Sequence, residues 1–119
     1  MLRKIIFLGL FTTLLGCDYG DISISPASGV LNYGQGVFEG IKAFRSCRDR
    51  IIFFRLANNA IRFYRSCKRI CIPPIPVETF MEAIKEVVKD NLDYIPPTGK
   101  GSLYIRPVAW GTGPVLGVK

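Results

Sequence analysis

A glycine-rich segment over residues 29–40 constrains the fold more than any other part of the chain. It contains four glycines in twelve residues, together with Tyr33, Phe38 and Glu39. Because glycine has no Cβ, the backbone can turn sharply here and approach a ligand closely. Aromatic side chains would enclose the space above it. The segment therefore predicts one wall of a binding site.

The chain of 119 residues is long enough for one domain with a hydrophobic core and too short for two domains of ordinary size. Apolar residues make up 49% and charged residues 21%, which places the chain among folded globular proteins rather than disordered ones. The net charge of +7 favours anionic ligands or partners, among them a phosphate group, nucleic acid or an acidic membrane surface. The charge alone does not choose among these.

The cysteines do not predict a metal site. They are irregularly spaced, and the chain has no histidine to complete a Cys/His ligand set. We interpret them as mostly buried thiols that pack in the interior. They are Cys17, Cys47, Cys67 and Cys71.

Residues 1–17 differ from the rest of the chain. A short basic head precedes an apolar run over residues 5–15, and Gly16 and Cys17 follow. The run is too short to span a bilayer comfortably, but it has the n-region and h-region of a secretory signal, and residues 14–17 approximate a lipoprotein cleavage box. The alternatives are a buried strand or a chance apolar leader. We therefore divide the chain into a leader, 1–17, and a folded part, 18–119.

The hydrophobic pattern of the folded part predicts alternating strands and helices. Residues 19–25 predict a short strand, 41–45 and 50–55 an antiparallel hairpin, and 102–110 one long strand. Helical spacing predicts a helix from 56 to about 66 and another from 77 to about 91, with the prolines at 73, 74 and 76 between them. These elements indicate a small α/β domain of the α+β type, with two helices on one side of a mainly antiparallel sheet.

Three motifs together resemble the N-terminal small domain of the branched-chain aminotransferases. These are fold-type IV, pyridoxal-phosphate enzymes of the class IV aminotransferase family. The motifs are the glycine-rich segment, the Phe-x-Leu-x-x-x-Ala-x-Arg pattern of residues 54–62, and Ser-Leu-Tyr-Ile-Arg-Pro at 102–107. The resemblance begins near residue 18 and continues to residue 119, so it implies a truncated small domain.

Arg62 is the strongest candidate for cofactor binding. The resemblance implies that it holds the phosphate of pyridoxal phosphate, and the planar guanidinium suits a phosphate because it can donate two charge-assisted hydrogen bonds. The alternative is a solvated cation on a helix surface.

Tyr104 and Arg106 form a second candidate group. Residues two apart on a strand point to the same face, so a phenol and a guanidinium would lie together and could bind a carboxylate. The resemblance implies that they receive the amino-acid or 2-oxo-acid substrate. The alternative is an edge-strand pair that faces water.

The resemblance also implies roles for residues of the glycine-rich segment and the C-terminal end. Tyr33 and Phe38 would line the pocket for a branched aliphatic side chain, and Tyr33, Leu116 and Val118 would lie at a dimer interface. By contrast, we interpret Glu39 as a structural carboxylate.

We expect Glu39 to pair with Lys42 or Arg45. No second acid is placed to form an acid/base couple with it, so it is left out of the catalytic set.

The implied activity is amino-group transfer between leucine, isoleucine or valine and 2-oxoglutarate. In this family the lysine that binds the cofactor covalently, and the acid that protonates its pyridine nitrogen, lie in the larger C-terminal domain. None of the chain's lysines stands in the matching motif, so we assign no catalytic residue and expect the chain to be inactive alone. Possible partners are a second copy or a full-length subunit; nucleic acid is not expected.

Two further hypotheses remain open. Eight cations between residues 45 and 69, interleaved with aromatic residues, are also typical of a small basic nucleic-acid-binding domain. The leader, if it is a signal, would instead indicate a secreted or membrane-anchored product. Members of the resembling family are cytoplasmic, mitochondrial or plastid proteins.

Overall fold

The computed structural model describes residues 5–9, 13–17 and 20–117. For 5–9 and 13–17 we describe the backbone only. The strands are β1 (Ile5–Gly9), β2 (Thr13–Cys17), β3 (Gly36–Phe38), β4 (Ile41–Arg45), β5 (Ile51–Phe53), β6 (Leu103–Ile105) and β7 (Val108–Trp110). The α-helices are α1 (Gly29–Tyr33), α2 (Leu56–Arg69) and α3 (Val77–Asp90), and a 3₁₀ turn covers Leu92–Tyr94.

The described strands form two sheets. One has the order β2-β1-β7-β3, in which only the β1–β7 pairing is parallel. The other has the order β5-β4-β6 and is wholly antiparallel. The predicted α+β class with a mainly antiparallel sheet is confirmed, and so is the predicted hairpin, formed by β4 and β5.

The prediction of one long strand over residues 102–110 is wrong. The chain instead forms β6 and β7, which belong to different sheets and are separated by Arg106 and Pro107. Proline has no N–H to donate to a neighbouring strand, so a continuous ladder ends there. The carbonyl of Pro107 still accepts a hydrogen bond from the N–H of Glu39, at 3.0 Å. The break places Arg106 between the two sheets.

The helices cover one face of the three-stranded sheet. The buried stripe of α2 follows helical spacing, and Phe63 packs against Phe80 of α3 with ring centroids 5.0 Å apart. Ile41 and Ala43 of β4 face the same core. Helix α2 is three residues longer than predicted. The remaining core residues of the helices and β6 are Leu56, Ala60, Cys67, Ile84, Val87, Val88, Leu103 and Ile105.

The other face of this sheet is exposed. Alternation along the strands points Lys42 and Phe44 of β4 away from the helices, and cross-strand pairing places them opposite Tyr104 and Ile52. All four side chains are exposed. One face of the sheet therefore holds the core, and the other carries Tyr104.

The predicted strand over residues 19–25 is also wrong. Residues 20–25 form no regular structure, and residue 19 lies outside the described residues. A strand needs a free edge, but β1 and β3 occupy the two edges of β7. The glycine-rich segment is likewise more regular than predicted, since it forms α1 and β3. Gly34, with φ of +63°, ends α1 in the left-handed conformation that glycine tolerates.

The prediction of mostly buried cysteines holds for only one of the three whose side chains are described. Cys67 is buried in the stripe of α2, but Cys47 and Cys71 are exposed. Cys47 lies in the turn between β4 and β5, and Cys71 follows the end of α2. Thiols in such turns do not reach the core. The side chain of Cys17 is outside the described residues.

The interpretation of residues 1–17 as a targeting leader stays a prediction. Within it, the described backbone is the antiparallel pair β1 and β2. None of the described helices is both long and apolar enough to cross a bilayer.

Candidate functional site

A buried carboxylate holds the guanidinium of Arg62. Arg62 donates from Nε to Oε1 of Glu39 at 2.5 Å and from Nη2 to Oε2 at 2.7 Å, so one edge of its planar fork faces the carboxylate. The side chain of Glu39 is only 5% exposed, whereas that of Arg62 is 64% exposed. Asn59, one helical turn earlier on α2, donates to Oε2 of Glu39 at 2.9 Å and to the carbonyl of Gly40 at 3.3 Å.

The ion pair changes the protonation of both groups. Burial raises the pKa of the Glu39 carboxyl, but the hydrogen bonds from Arg62 and Asn59 and the charge of Arg62 outweigh it, so the pKa lies below its ordinary value. The hydrogen bond to Glu39 raises the pKa of Arg62. Both groups therefore remain charged at neutral pH.

The prediction that Glu39 pairs with Lys42 or Arg45 is wrong. Arg45 instead binds Asp49 within the hairpin, at 2.6 Å, and Lys42 points to the exposed face of the sheet. Glu39 lies at the turn between β3 and β4, where its side chain meets α2. The spacing of Asn59 and Arg62 was an available clue, because residues three apart share a helix face.

Phe38, Tyr104 and Arg106 form a second cluster. Nη2 of Arg106 donates to the phenol oxygen of Tyr104 at 2.6 Å, and the guanidinium carbon lies 4.4 Å from the ring centroid of Phe38 and 5.2 Å from that of Tyr104. Two aromatic faces thus hold the cation by cation–π attraction. The predicted proximity of Tyr104 and Arg106 is therefore observed, although Arg106 lies just beyond β6.

Three consecutive residues connect the two clusters. Phe38 contacts Arg106, Glu39 binds Arg62, and the phenol of Tyr104 lies against Gly40. A Cβ built on Gly40 would be 2.5 Å from the Tyr104 oxygen, so only glycine allows this close approach. The glycine-rich segment therefore brings the predicted phosphate-binding and carboxylate-binding groups to its two sides.

The other predicted site residues are not part of this arrangement. Tyr33, at the end of α1, is 50% exposed, and Leu116 is 63% exposed. The described hydrogen bonds and ring contacts connect neither of them to Arg62 or Arg106. Val118 lies outside the described residues.

Gln35 is a supporting residue that the sequence did not reveal. Its side-chain amide donates to the carbonyl of Ile70, at 3.1 Å, and its backbone carbonyl accepts from the N–H of Gly111, at 2.9 Å. Its amide oxygen fills the space that a Cβ at Gly29 or Gly111 would need. Gln35 thus ties the glycine-rich segment to the end of α2 and to β7.

Comparison with known proteins gives a consistent result. No family model matches the sequence. The chain is 55% identical over 100 residues to branched-chain-amino-acid aminotransferase 5, chloroplastic, of Arabidopsis thaliana, and the match covers 84% of this chain and 24% of that protein. Among solved structures, the branched-chain aminotransferase of Thermoproteus uzoniensis with norvaline matches with a TM-score of 0.71 and 34% identity. This match covers 87% of this chain and 33% of that one.

The chain is related to the branched-chain aminotransferases. It spans about a quarter of the length of the curated relative and about a third of the solved one. A further structure, a bacterial-type branched-chain amino acid aminotransferase complexed with N-(5'-phosphopyridoxyl)-L-glutamate, matches with a TM-score of 0.69 and 38% identity over 87% of this chain and 32% of that one. Its ligand joins a pyridoxal phosphate skeleton to an amino acid. The resemblance of the sequence to this pyridoxal-phosphate family is therefore confirmed.

The names of the aminotransferase relatives also bear on location. One from Arabidopsis thaliana is named chloroplastic, and one from Humulus lupulus is named mitochondrial.

The residues around Arg62 fit the phosphate of such a cofactor. Both hydrogen bonds of Arg62 in the described part of the chain lie on its Nε–Nη2 edge, so Nη1 and the outer N–H of Nη2 point away from Glu39. An open depression adjoins them and is lined by Arg62, Arg65, Ser66, Lys68 and Arg69. A dianionic phosphate suits this set of cations and one hydroxyl.

Proposed function

We propose that the chain is the N-terminal small domain of a branched-chain aminotransferase. Such an enzyme transfers an amino group between leucine, isoleucine or valine and 2-oxoglutarate. The observation that carries the proposal is the joining of the two arginine clusters by Phe38, Glu39 and Gly40. A phosphorylated cofactor and a carboxylated substrate are the two anions that this reaction brings together.

Arg62 holds the cofactor phosphate through its outer edge. When bound, pyridoxal phosphate supplies the electron sink for chemistry at the substrate Cα. The contribution of Arg62 is to bind and orient it.

Tyr104 and Arg106 receive the substrate. The Tyr104 oxygen accepts a hydrogen bond from Arg106, so its own proton is available to donate to a carboxylate. Phe38 and Tyr33 form the apolar wall for the aliphatic side chain, which selects substrates by shape and by excluding water. Tyr33, Leu116 and Val118 contribute to contact with a second subunit.

The chain supplies the binding half of the site. We assign no catalytic lysine among its residues, so the lysine and the acid at the pyridine nitrogen come from a larger C-terminal domain of the enzyme. The 119-residue chain alone is therefore expected to bind ligands without transaminating them. A full-length subunit that pairs with it would be the partner in a mixed dimer.

Complementation tests this proposal. The chain is combined with the remaining part of a related branched-chain aminotransferase, and transamination of leucine and 2-oxoglutarate is measured. We expect activity only in the mixture, with loss in Arg62→Ala and Arg106→Ala and retention in Arg48→Ala, which changes an exposed arginine of the hairpin turn. Absence of activity and of any complex between the two parts would contradict the proposal.

A basic nucleic-acid-binding surface is the second candidate. The depression on α2 presents Arg65, Lys68 and Arg69, none of which forms an ion pair with another described residue. However, Phe63 is buried in the core and is not available for stacking. Binding to single-stranded RNA that weakens steeply with added salt would support this candidate, and binding that is absent or insensitive to salt would exclude it.

A further inference from the structure

We propose that Glu39 is a positioning residue that fixes Arg62 as a preorganised phosphate receptor. The inference rests on the proposed function, since it concerns how that site holds its phosphate. It assigns to a carboxylate, which would ordinarily repel an anion, a supporting role in anion binding.

The geometry separates the two edges of the guanidinium. Glu39 accepts from Nε and Nη2, and this fork fixes both the position and the plane of the group. Arginine has five N–H donors in a rigid arrangement, so the edge at Nη1 remains available for a second bidentate partner. A phosphate can therefore bind Arg62 without displacing Glu39.

The carboxylate is itself held in place. Glu39 is 5% exposed, its Oε2 also accepts from Asn59, and its backbone N–H donates to Pro107. A buried, hydrogen-bonded carboxylate cannot follow Arg62 into solvent. It therefore holds a largely exposed side chain in one conformation, and that ordering cost is met before the anion arrives.

Charge and positioning predict opposite effects for one substitution. Glu39→Gln keeps the size of the side chain and removes its negative charge. If Glu39 acted only as a nearby charge, this change would strengthen phosphate binding, because it removes a repulsion. If Glu39 positions Arg62, the amide presents an N–H₂ group to the guanidinium donors, the fork breaks, and phosphate binding weakens.

The test uses the full chain with inorganic phosphate as the probe, titrated at about pH 7 and low ionic strength, where screening of charge is weak. We expect Glu39→Gln and Glu39→Ala to weaken phosphate binding by about three- to tenfold, the scale of ordering one long side chain. Arg62→Ala should abolish the site, and Arg48→Ala should leave it unchanged. Circular dichroism of each variant shows whether it is folded.

An independent readout is the NMR signal of the Arg62 Nε–H. It should be observable and protected from exchange in the original chain. It should be lost in folded Glu39→Gln, which a purely structural role of Glu39 would not require. Unchanged or tighter phosphate binding in Glu39→Gln, or a protected Nε–H in that variant, would overturn the inference.

The same experiment separates this inference from the proposed function. Loss of binding in Arg62→Ala with full binding in Glu39→Gln would overturn the positioning role alone. Equal binding in Arg62→Ala and the original chain would overturn both, because Arg62 would not be the phosphate ligand. An original chain that binds no phosphate would also overturn the inference, since a preorganised receptor needs no further ordering.

Discussion

Two arginines on opposite sides of the glycine-rich segment are held in different ways. Arg62 is bound by the buried carboxylate of Glu39, whereas Arg106 lies against the ring of Phe38 and donates to the phenol of Tyr104. In the first case the holding group is charged and inaccessible to water. In the second case Tyr104 and Phe38 are themselves 46% and 63% exposed.

The difference indicates which arginine the fold depends on. Removing the cation from Glu39 leaves a buried charge with reduced compensation, which is costly. Removing the cation from Phe38 and Tyr104 only returns exposed aromatic groups to water. We therefore expect the Arg62 side to couple stability to binding, and the Arg106 side to affect binding almost alone.

The largest expected effect is a loss of both arginine sites together. Phe63→Ala removes the ring that packs on Phe80 beneath α2, and we expect the free energy of unfolding to fall by about 3–5 kcal/mol. Urea unfolding measures this loss, and NMR titrations with phosphate and glutarate measure the two sites. Phe63→Leu is the control and should cost less than about 1.5 kcal/mol. Survival of either site in a destabilised Phe63→Ala chain would show that the two arginines do not share one platform.

The next effect separates the arginines by pH. The pKa of Glu39 is lowered on folding from its ordinary value of 4.5, so the folded state binds this proton less readily than the unfolded state. Glu39 therefore contributes stability above pH 4.5, and this contribution is lost as the pH falls through the lower folded pKa.

Glu39→Gln should remove that contribution. We expect a loss of about 1–3 kcal/mol at neutral pH, the range for hydrogen bonds to a buried charged group, and a smaller difference from the original chain in acid. Urea unfolding at about pH 7 and about pH 3, on either side of the titration, measures both. A difference that does not shrink in acid would contradict the assignment of the charge to the folded state.

A smaller effect is expected from Gly40→Ala, which should disturb only the Arg106 side. The new methyl group would meet the exposed, movable end of Tyr104, so stability should change by less than about 1 kcal/mol. Glutarate binding should weaken because the phenol is displaced from Arg106, while phosphate binding persists. Gly113→Ala, where a Cβ meets nothing within 4 Å, is the control. Equal weakening for both anions would show that the segment couples the two sites.

The parts of the structure that depend on local pattern could be predicted from the sequence. Helical spacing located α2 and α3, and the short polar turn located the β4–β5 hairpin. The proximity of Tyr104 and Arg106 followed from strand alternation, because side chains two apart meet even where the strand has just ended.

The remaining features depend on long-range contacts that a local pattern does not contain. Residues 20–25 have strand-like alternation, but β1 and β3 already occupy both edges of β7. Glu39 has nearby cations in the sequence, yet its partner lies 23 positions away on α2. The roles of Arg62, Tyr104 and Arg106 as ligands of cofactor and substrate stay predictions, which the binding experiments address.

The smallest expected effect tests the comparison from the Arg106 side. Arg106→Ala removes an exposed cation whose partners are both accessible to water, so the free energy of unfolding should change by less than about 0.5–1 kcal/mol. Glutarate binding should nevertheless be lost, and Arg106→Lys should restore it only in part, because lysine lacks the planar fork. Arg62→Ala, measured alongside by thermal unfolding, should lower the midpoint much further. If the two alanine variants unfold at the same temperature, burial of Glu39 does not distinguish the two arginines, and both are equally peripheral to the stability of the fold.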